Sequence, residues 1–475
     1  MNKSILDEKK HIHMIGIGGS GMYPLAQILH AKGYYLTGSD NNETETLQAV
    51  RNMGIPVTLG QRAENIEGAD LIVHTAAIMA DNPELIAAKQ SGVPVLERSE
   101  LLGIVSSWYS DAVCVSGTHG KTTTTAMLAQ ILHTAKIDLS AFIGGKLPCI
   151  GGSGCAGSSD IFVCESCEFV DTFLKLYPDI AIILNIDADH LDYFKTVDNI
   201  IKSFHKFCEL TSRTIIYNGD DSNTCKAIEG ITGKELISFG YQDTNLFRAV
   251  DVTHMNAQTA YTVMKGNDIL GRITLQVPGE HNILNSLAAV SACDLLGIPF
   301  EAVAQGLAEF RGAGRRFEIK AEINGITVAD DYAHHPTELT ATLKAAKKMH
   351  YDRIIAVFQP FTFSRTVQHL EEFAKSLAIA DLAVLTDIMG SREKNTYNIY
   401  TRNLAEIMQN AVYFPQDEQA VYTDERKYQN FEDVCNYVIA NAKPGDLILT
   451  MGCGDVNKIA TMLVKRLTAM QEIQI

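Results

Sequence analysis

No stretch of the 475-residue chain is apolar for long enough to cross a bilayer, which argues against a helical membrane span. The opening residues, MNKSILDEKK, lack the apolar segment of a signal peptide, so a cytoplasmic protein is expected. Charge of one sign is nowhere concentrated. The formal net charge of −16 is spread along the chain without an acidic tail or a basic block, which argues against nucleic acid and membrane as partners. Ten cysteines follow no repeating spacing and fit reduced thiols better than a disulfide framework. One C-x-x-C occurs, at Cys164 and Cys167, but no second pair follows that would complete a zinc site. Short internal repeats and low-complexity linkers are missing as well. A globular chain with 46% hydrophobic residues remains, its expected partners small molecules and its assembly a monomer or a homodimer.

At this length a single core is excluded, and a typical size of about 150 residues per domain suggests three. Apolar runs of strand length alternate with longer runs of helical period almost throughout, the pattern of parallel sheets with crossover helices. The expectation is an α/β protein of three domains, 1–107, 108–313 and 314–475. The first opens with the strand HIHMIGIG and a helix carrying Leu25, Ile28 and Leu29 on one face, stopped by Gly33. Asn82 before Pro83 reads as the cap and first turn of a helix that reaches Gln90 and is closed by Gly92. The second contains the strands DAVCVSG, DIFVCE and IAIILNI; the third contains ITVADDY, a helix from Thr337, RIIAVFQP, DLAVLTDI and DLILTMGCGDV.

Two glycine-rich loops follow strands. In the first block, Gly16, Gly18 and Gly21 satisfy G-x-G-x-x-G, and Asp40 ends the next strand. This is a dinucleotide fingerprint, and by itself it favours an NAD-dependent oxidoreductase. Too few residues precede the next glycine loop to build both halves of a dinucleotide fold. That next loop, SGTHGKTT, lacks the leading glycine of the strict phosphate-loop pattern, because Val115 stands in its place. The parts a triphosphate needs are nevertheless there: Gly117 and Gly120 let the backbone curl between strand and helix, Lys121 supplies charge, and Thr122 supplies a hydroxyl for magnesium. Carboxylates at neighbouring strand ends would complete a magnesium site, and Glu165, Asp187, Asp189, His190 and Asp192 stand there.

Six motifs in order, GTHGKTT, the Glu165 strand end, NIDADHLDYF, GEHNILNSLAAV, GAGRRFE and DDYAHHPTE, resemble the Mur ligases across essentially the whole chain. HIHMIGIGGSGM, HTAAI and DDYAHHPTEL are typical of the branch that joins L-alanine to UDP-N-acetylmuramate. The resemblance implies a Rossmann-like UDP-sugar domain, a central ATP-binding domain of phosphate-loop type and a Rossmann-like C-terminal domain that binds the amino acid. Its activity would be ATP-dependent amide formation with Mg²⁺, through an acyl phosphate, in peptidoglycan precursor synthesis. Gly117, Thr118, His119, Gly120, Lys121, Thr122 and Thr123 would hold the ATP phosphates, with Thr122, Glu165 and His190 on the metal. His281, Asn282 and Asn285 would sit by the adenine, although helix capping at Asn282 could account for one asparagine. Arg316, Asp331 and His334 would act at the domain junction.

The first glycine loop then takes UDP rather than NAD, since both carry a pyrophosphate. Gly16, Gly18, Gly19, Ser20 and Gly21 would bind it, Asp40 would face the uridine, and Thr75, Ala76 and Ala77 the sugar. Tyr332 and Arg365 would complete the substrate site, Arg365 pairing with the alanine carboxylate. Two departures stand out. Several family members hold a second metal with a carbamoylated lysine, and here that position falls on His205, with Lys202 and Lys206 off register. Family members commonly carry a histidine after F-Q-P, where this chain has Phe361.

Overall fold

The computed structural model describes residues 3–255, 258–391, 393–416 and 429–473. Three separate sheets account for its strands. The first contains β1 (His11–Ile15), β2 (Tyr35–Asp40), β3 (Val57–Leu59), β4 (Leu71–His74) and β5 (Val95–Glu97), all parallel and in the order β3-β2-β1-β4-β5. The chain leaves β1 toward β2 on one side and returns to β4 on the other. A crevice therefore opens at the carboxyl ends of β1 and β4, where α/β sheets bind ligands. With five strands, the sheet stops short of the two mononucleotide halves that a dinucleotide enzyme needs. Asn82 caps the helix Pro83–Gln90 as its sequence pattern anticipates, accepting from the N–H groups of Glu84 and Leu85.

The second sheet has ten strands: β6 (Asp111–Ser116), β7 (Ser140–Leu147), β8 (Gly152–Cys155), β9 (Ile161–Glu165), β10 (Ile180–Ile183), β11 (Thr214–Asn218), β12 (Glu235–Gly240), β13 (Phe247–Met255), β14 (Gln258–Lys265) and β15 (Asp268–Leu275). Their order is β15-β14-β13-β12-β11-β10-β6-β9-β7-β8. Strand–helix alternation was expected almost throughout, yet among the described residues β12 to β15 follow one another with no helix between them. The local signal is a period of two rather than 3.6: in β14, Thr259, Tyr261 and Val263 point inward and their neighbours outward. Phe142, Phe162, Phe173 and Phe204 share one apolar cluster with Leu25, Ile28 and Leu101 of the first block. Residues Met1–Val252, Ala260–Thr274 and Ile283–Ala313 accordingly form one compact unit.

The second unit comprises Thr253–Thr259, Leu275–Asn282 and Gly314–Ile475. Its sheet runs β16 (Glu318–Ile323), β17 (Ile326–Asp331), β21 (Asp446–Met451), β18 (Arg353–Phe358), β19 (Leu382–Leu385) and β20 (Ala411–Tyr413), with β16 antiparallel at one edge. Helices cover both faces. Along β18, Ile354, Ala356 and Phe358 pack into one cluster, while Ile355 and Val357 pack into the opposite one. A strand buried on two sides reads as a continuous apolar run, which is why RIIAVF is legible in the sequence.

Gly103 marks where the first block meets the second. It lies inside the helix Arg98–Ser106, and a methyl group placed there would collide with the backbone carbonyl of Lys175. Backbone cannot step aside as a flexible side chain does. Gly103→Ala is expected to cost about 1–3 kcal/mol through overpacking. A thermal melt of the variant coinciding with wild type would refute the close approach.

Candidate active site

The glycine loop of the first sheet is held from three strand ends. Gly16 adopts φ +79, a region that favours glycine, and a Cβ there would come within 2.7 Å of the Thr75 methyl after β4. The N–H groups of Gly16 and Ile17 donate to the Ser39 carbonyl at 2.8 and 3.0 Å. Gly18 N–H donates to Asp40 Oδ2 at 3.0 Å, and Asn42 N–H to its other oxygen at 3.1 Å. Asp40, expected to face a uridine, thus also positions the loop. Gly19 and Gly21 continue into the helix Tyr23–Ala31, with Arg98 close against Gly21. Ser20, Ala76 and Ala77 line the exposed side.

Beneath this loop lies a pair that no sequence pattern flagged. Ser39 Oγ donates to Glu84 Oε2 at 2.7 Å, and His13 Nε2 donates to Glu84 Oε1 at 2.7 Å. Both His13 and Glu84 are buried. Removing one partner would leave the other buried without its match, the costly case.

In the second sheet, β6 lies between β9 and β10, so the loops after all three strands meet at one edge. Asn185, just past β10, clamps the phosphate loop. Its Oδ1 accepts from His119 N–H at 2.8 Å, its Nδ2 donates to the His119 carbonyl at 3.0 Å, and its own carbonyl accepts Thr118 N–H at 3.0 Å. Gly117, at φ +138, passes so close to Leu184 that a Cβ would lie 2.9 Å from its side chain. Gly120, at φ +87, precedes the helix Lys121–Thr134, and any side chain there would collide with the Asn285 amide. Both glycines are required by a positive φ and by close approach. Thr123 is buried in the first turn behind them.

Thr122 Oγ1 donates to Glu165 Oε2 at 2.8 Å, and Gly144 N–H donates to the same oxygen at 3.0 Å. A hydroxyl and a carboxylate side by side are oxygen donors of the kind a hard divalent cation takes. Lys121 Nζ donates to the carbonyls of Gly117 at 2.5 Å and Thr118 at 3.1 Å, and to Glu168 at 2.9 and 3.2 Å. Burial alone would lower its proton affinity, but the Glu168 carboxylate outweighs it and holds the ammonium above its ordinary range. Glu168 was missed in the sequence, although it stands three residues past Glu165 in ESCE.

His190, at the end of the loop after β10, has φ +53, and its ring packs on Phe169 with centroids 4.5 Å apart. Asp187 pairs with His119 at 3.3 Å and Asp189 with His190 at 3.7 Å, whereas the side chain of Asp192 lies outside the described residues. His205 donates to the Ala227 carbonyl at 2.9 Å, and Lys202 and Lys206 are exposed. Cys164 and Cys167 do not form a pair: the Cys164 sulfur faces Cys114 at 3.4 Å across β6 and β9, and Cys167 is exposed.

The helix His281–Leu295 begins one residue before Asn282, so Asn282 is not its cap. Its amide donates instead to the Pro278 carbonyl at 2.6 Å and ties down the GEH turn, while His281 is exposed. The two arginines of GRRFE divide their work. Arg315 is structural, bonded to the buried Asp330 at 2.8 Å and to the carbonyls of Gly452 and Gly454. Arg316 lies over the Tyr332 ring at 5.1 Å and near Glu338 at 4.0 Å. Asp331 accepts the N–H groups of Phe317 and Ala333 at 2.7 and 2.8 Å. Burial pushes its carboxyl up to about 6 despite these bonds and the nearby Arg316 charge. His334 donates from Nδ1 to the Tyr332 carbonyl at 3.0 Å, and its ring meets the Phe361 ring edge-on at 6.4 Å. Arg365 stands on the helix Phe363–Gln368 that follows Phe361.

Known proteins resemble this chain in sequence and in fold. Residues 11–109 match the Mur ligase family catalytic domain, residues 115–293 the Mur ligase middle domain, and residues 315–454 the Mur ligase glutamate ligase domain. A UDP-N-acetylmuramate–L-alanine ligase of Acetivibrio thermocellus is 44% identical over 472 residues, 97% of each chain. Its counterpart in Caldanaerobacter subterraneus is 40% identical over 457 residues, 96% of this chain and 97% of that one. Among solved structures, UDP-N-acetylmuramate-alanine ligase of Thermotoga maritima superposes with a TM-score of 0.81 at 28% identity, covering 98% of this chain and 100% of the other. The chain belongs to the Mur ligase family.

Proposed function

We infer that the chain is a cytoplasmic ATP-dependent ligase that joins L-alanine to the lactyl carboxylate of UDP-N-acetylmuramate, a step of peptidoglycan precursor synthesis. The names of its full-length relatives support the reading. The observation that carries its chemistry is the Thr122 hydroxyl 2.8 Å from Glu165, beside a lysine-bearing loop at a helix N-terminus. The oxidoreductase alternative has no support, since residues 11–109 match the Mur ligases and the first sheet lacks a second mononucleotide half.

An amide does not form from a free carboxylate and an amine in water without activation. The lactyl carboxylate attacks the γ-phosphorus of ATP and ADP leaves, giving an acyl phosphate. The alanine amine then adds to the acyl carbon, inorganic phosphate departs, and the nitrogen sheds its proton. Mg²⁺ held by Thr122 and Glu165 would neutralise phosphate charge. Phosphoryl transfer needs mainly this neutralisation and alignment. On the protein side, Lys121 and the backbone at the start of its helix would hold the phosphates, since Asn185 already takes the N–H groups of Thr118 and His119, and Asn285 packs on Gly120. His334 carries its proton on Nδ1, fixed by the Tyr332 carbonyl. With Glu338 also 3.3 Å from Nδ1, the neutral ring keeps its proton there and has its lone pair on Nε2, the atom a base at this position would use.

ADP and phosphate should appear only when Mg²⁺, UDP-N-acetylmuramate and an amino acid are supplied together. Lys121→Ala should abolish turnover yet leave UDP-sugar affinity within about twofold, because the contacts of the lysine lie in the phosphate loop of the second sheet and at Glu168, not at the glycine loop of the first; a variant with full activity would refute the assignment of the loop. For the amino acid, Phe361 places an apolar edge against His334 where a histidine would offer a hydrogen bond. Such a bond to a charged group is worth about 1.5–3 kcal/mol, so Phe361→His is expected to lower the KM for L-alanine roughly ten- to a hundredfold. Glycine and L-serine should be rejected more sharply in the same variant. Steady-state kinetics with the three amino acids decide it, and an unchanged alanine KM would show Phe361 to be packing alone.

A further inference from the structure

Lys121 is the cation expected to meet the ATP phosphates, yet its place is already taken. Two of its donors go to the carbonyls of Gly117 and Thr118, and the third direction is filled by both oxygens of Glu168 at 2.9 and 3.2 Å. The Glu168 side chain is 3% exposed and that of Lys121 12%. A carboxylate this deep in a phosphate site opposes the ligand it borders. It lies against the one lysine of the loop, and a triphosphate brought to that lysine would bring several like charges beside it.

The backbone that delivers Glu168 is unusual. The next residues but one, Val170 and Asp171, both have φ +54, a left-handed conformation that a β-branched valine adopts rarely. The turn is held there by side chains. Asp171 accepts from Tyr193 Oη at 2.8 Å and from the Ser203 hydroxyl, and Phe169 packs on His190. Glu168 thus reaches Lys121 from a constrained turn whose other contacts include the histidine expected at the metal.

We propose that Glu168 is an intramolecular placeholder for the ATP phosphates, neutralising Lys121 in the empty site and giving the lysine up when the nucleotide binds. This rests on ATP occupying the GTHGKT loop. The physical logic is exchange of one anion for another. Without a counterion the buried ammonium would destabilise the free enzyme, and with one that cannot leave, the phosphates would be repelled. Because the Glu168 turn also carries Phe169, release of Lys121 shifts the support of the His190 ring, so nucleotide binding is felt at the metal side of the site. Glu168 is in this sense a positioning residue, acting through Lys121.

The role separates from simple structural support by the sign of its effect. In Glu168→Gln the competing charge is gone, and calorimetric binding of a magnesium complex of a non-hydrolysable ATP analogue should tighten by about tenfold, the low end of a charge-assisted hydrogen bond. AMP, which lacks the phosphates that reach Lys121, should bind as in wild type. UDP-N-acetylmuramate affinity should not move, which also reports that the variant is folded. Glu168→Asp, with its carboxylate drawn back from Lys121, should fall between wild type and Gln. Analogue affinity unchanged or weakened in both variants would overturn the placeholder. Wild-type protein that binds UDP-N-acetylmuramate but no ATP analogue would instead overturn the nucleotide site on which the idea rests.

Discussion

A buried ammonium must find its counter-charges within reach, and around Lys121 the second sheet is arranged to supply them. The lysine folds back over its own loop onto the carbonyls of Gly117 and Thr118, with Glu168 closing the third side. That geometry needs β6 flanked by β9 and β10, so that the loop meets a carboxylate from one neighbour and the Asn185 clamp from the other. It also needs glycine at 117 and 120, where Leu184 and Asn285 leave no room for a side chain. The parallel order of the strands, the glycines and the carboxylates are parts of one requirement.

The first sheet meets a related demand with different chemistry. Its glycine loop carries no lysine and relies on backbone N–H groups, two of them already engaged by the Ser39 carbonyl and a third by Asp40. The support of the loop is buried: Ser39 is tied through Glu84 to His13 at the heart of the sheet. A preshaped loop would meet the pyrophosphate proposed for it without first losing backbone freedom, which lowers the cost of binding. In the second unit, the same principle appears at GRRFE, where Arg315 is consumed by Asp330 and the turn after β21 so that Arg316 and Asp331 are held at the strand end.

Much of this was legible in the residues themselves. Lys121, Thr122 and Glu165 were read from a strand, a loop and a second strand end, and they come together because parallel strands in one sheet present their carboxyl ends along one edge. The capped helix at Asn82 and the doubly buried strand RIIAVF were equally plain, since capping and continuous burial are local patterns. The four strands from Glu235 to Leu275 were not, because their alternation was passed over for a helical rhythm that holds elsewhere.

What the sequence alone determined was the kind of chemistry: glycines where backbone must curl, a lysine and a hydroxyl at a helix start, carboxylates at strand ends. These are short-range signals, fixed by spacing within a dozen residues. Only the tertiary structure decided which polar groups answer which. Glu168 meets Lys121 across 47 positions, Glu84 meets His13 across 71, and Cys164 turns to Cys114 rather than to Cys167. Those partners are chosen by strand order and by a turn at Val170 that breaks the local rules, and no pattern of neighbours along the chain encodes either.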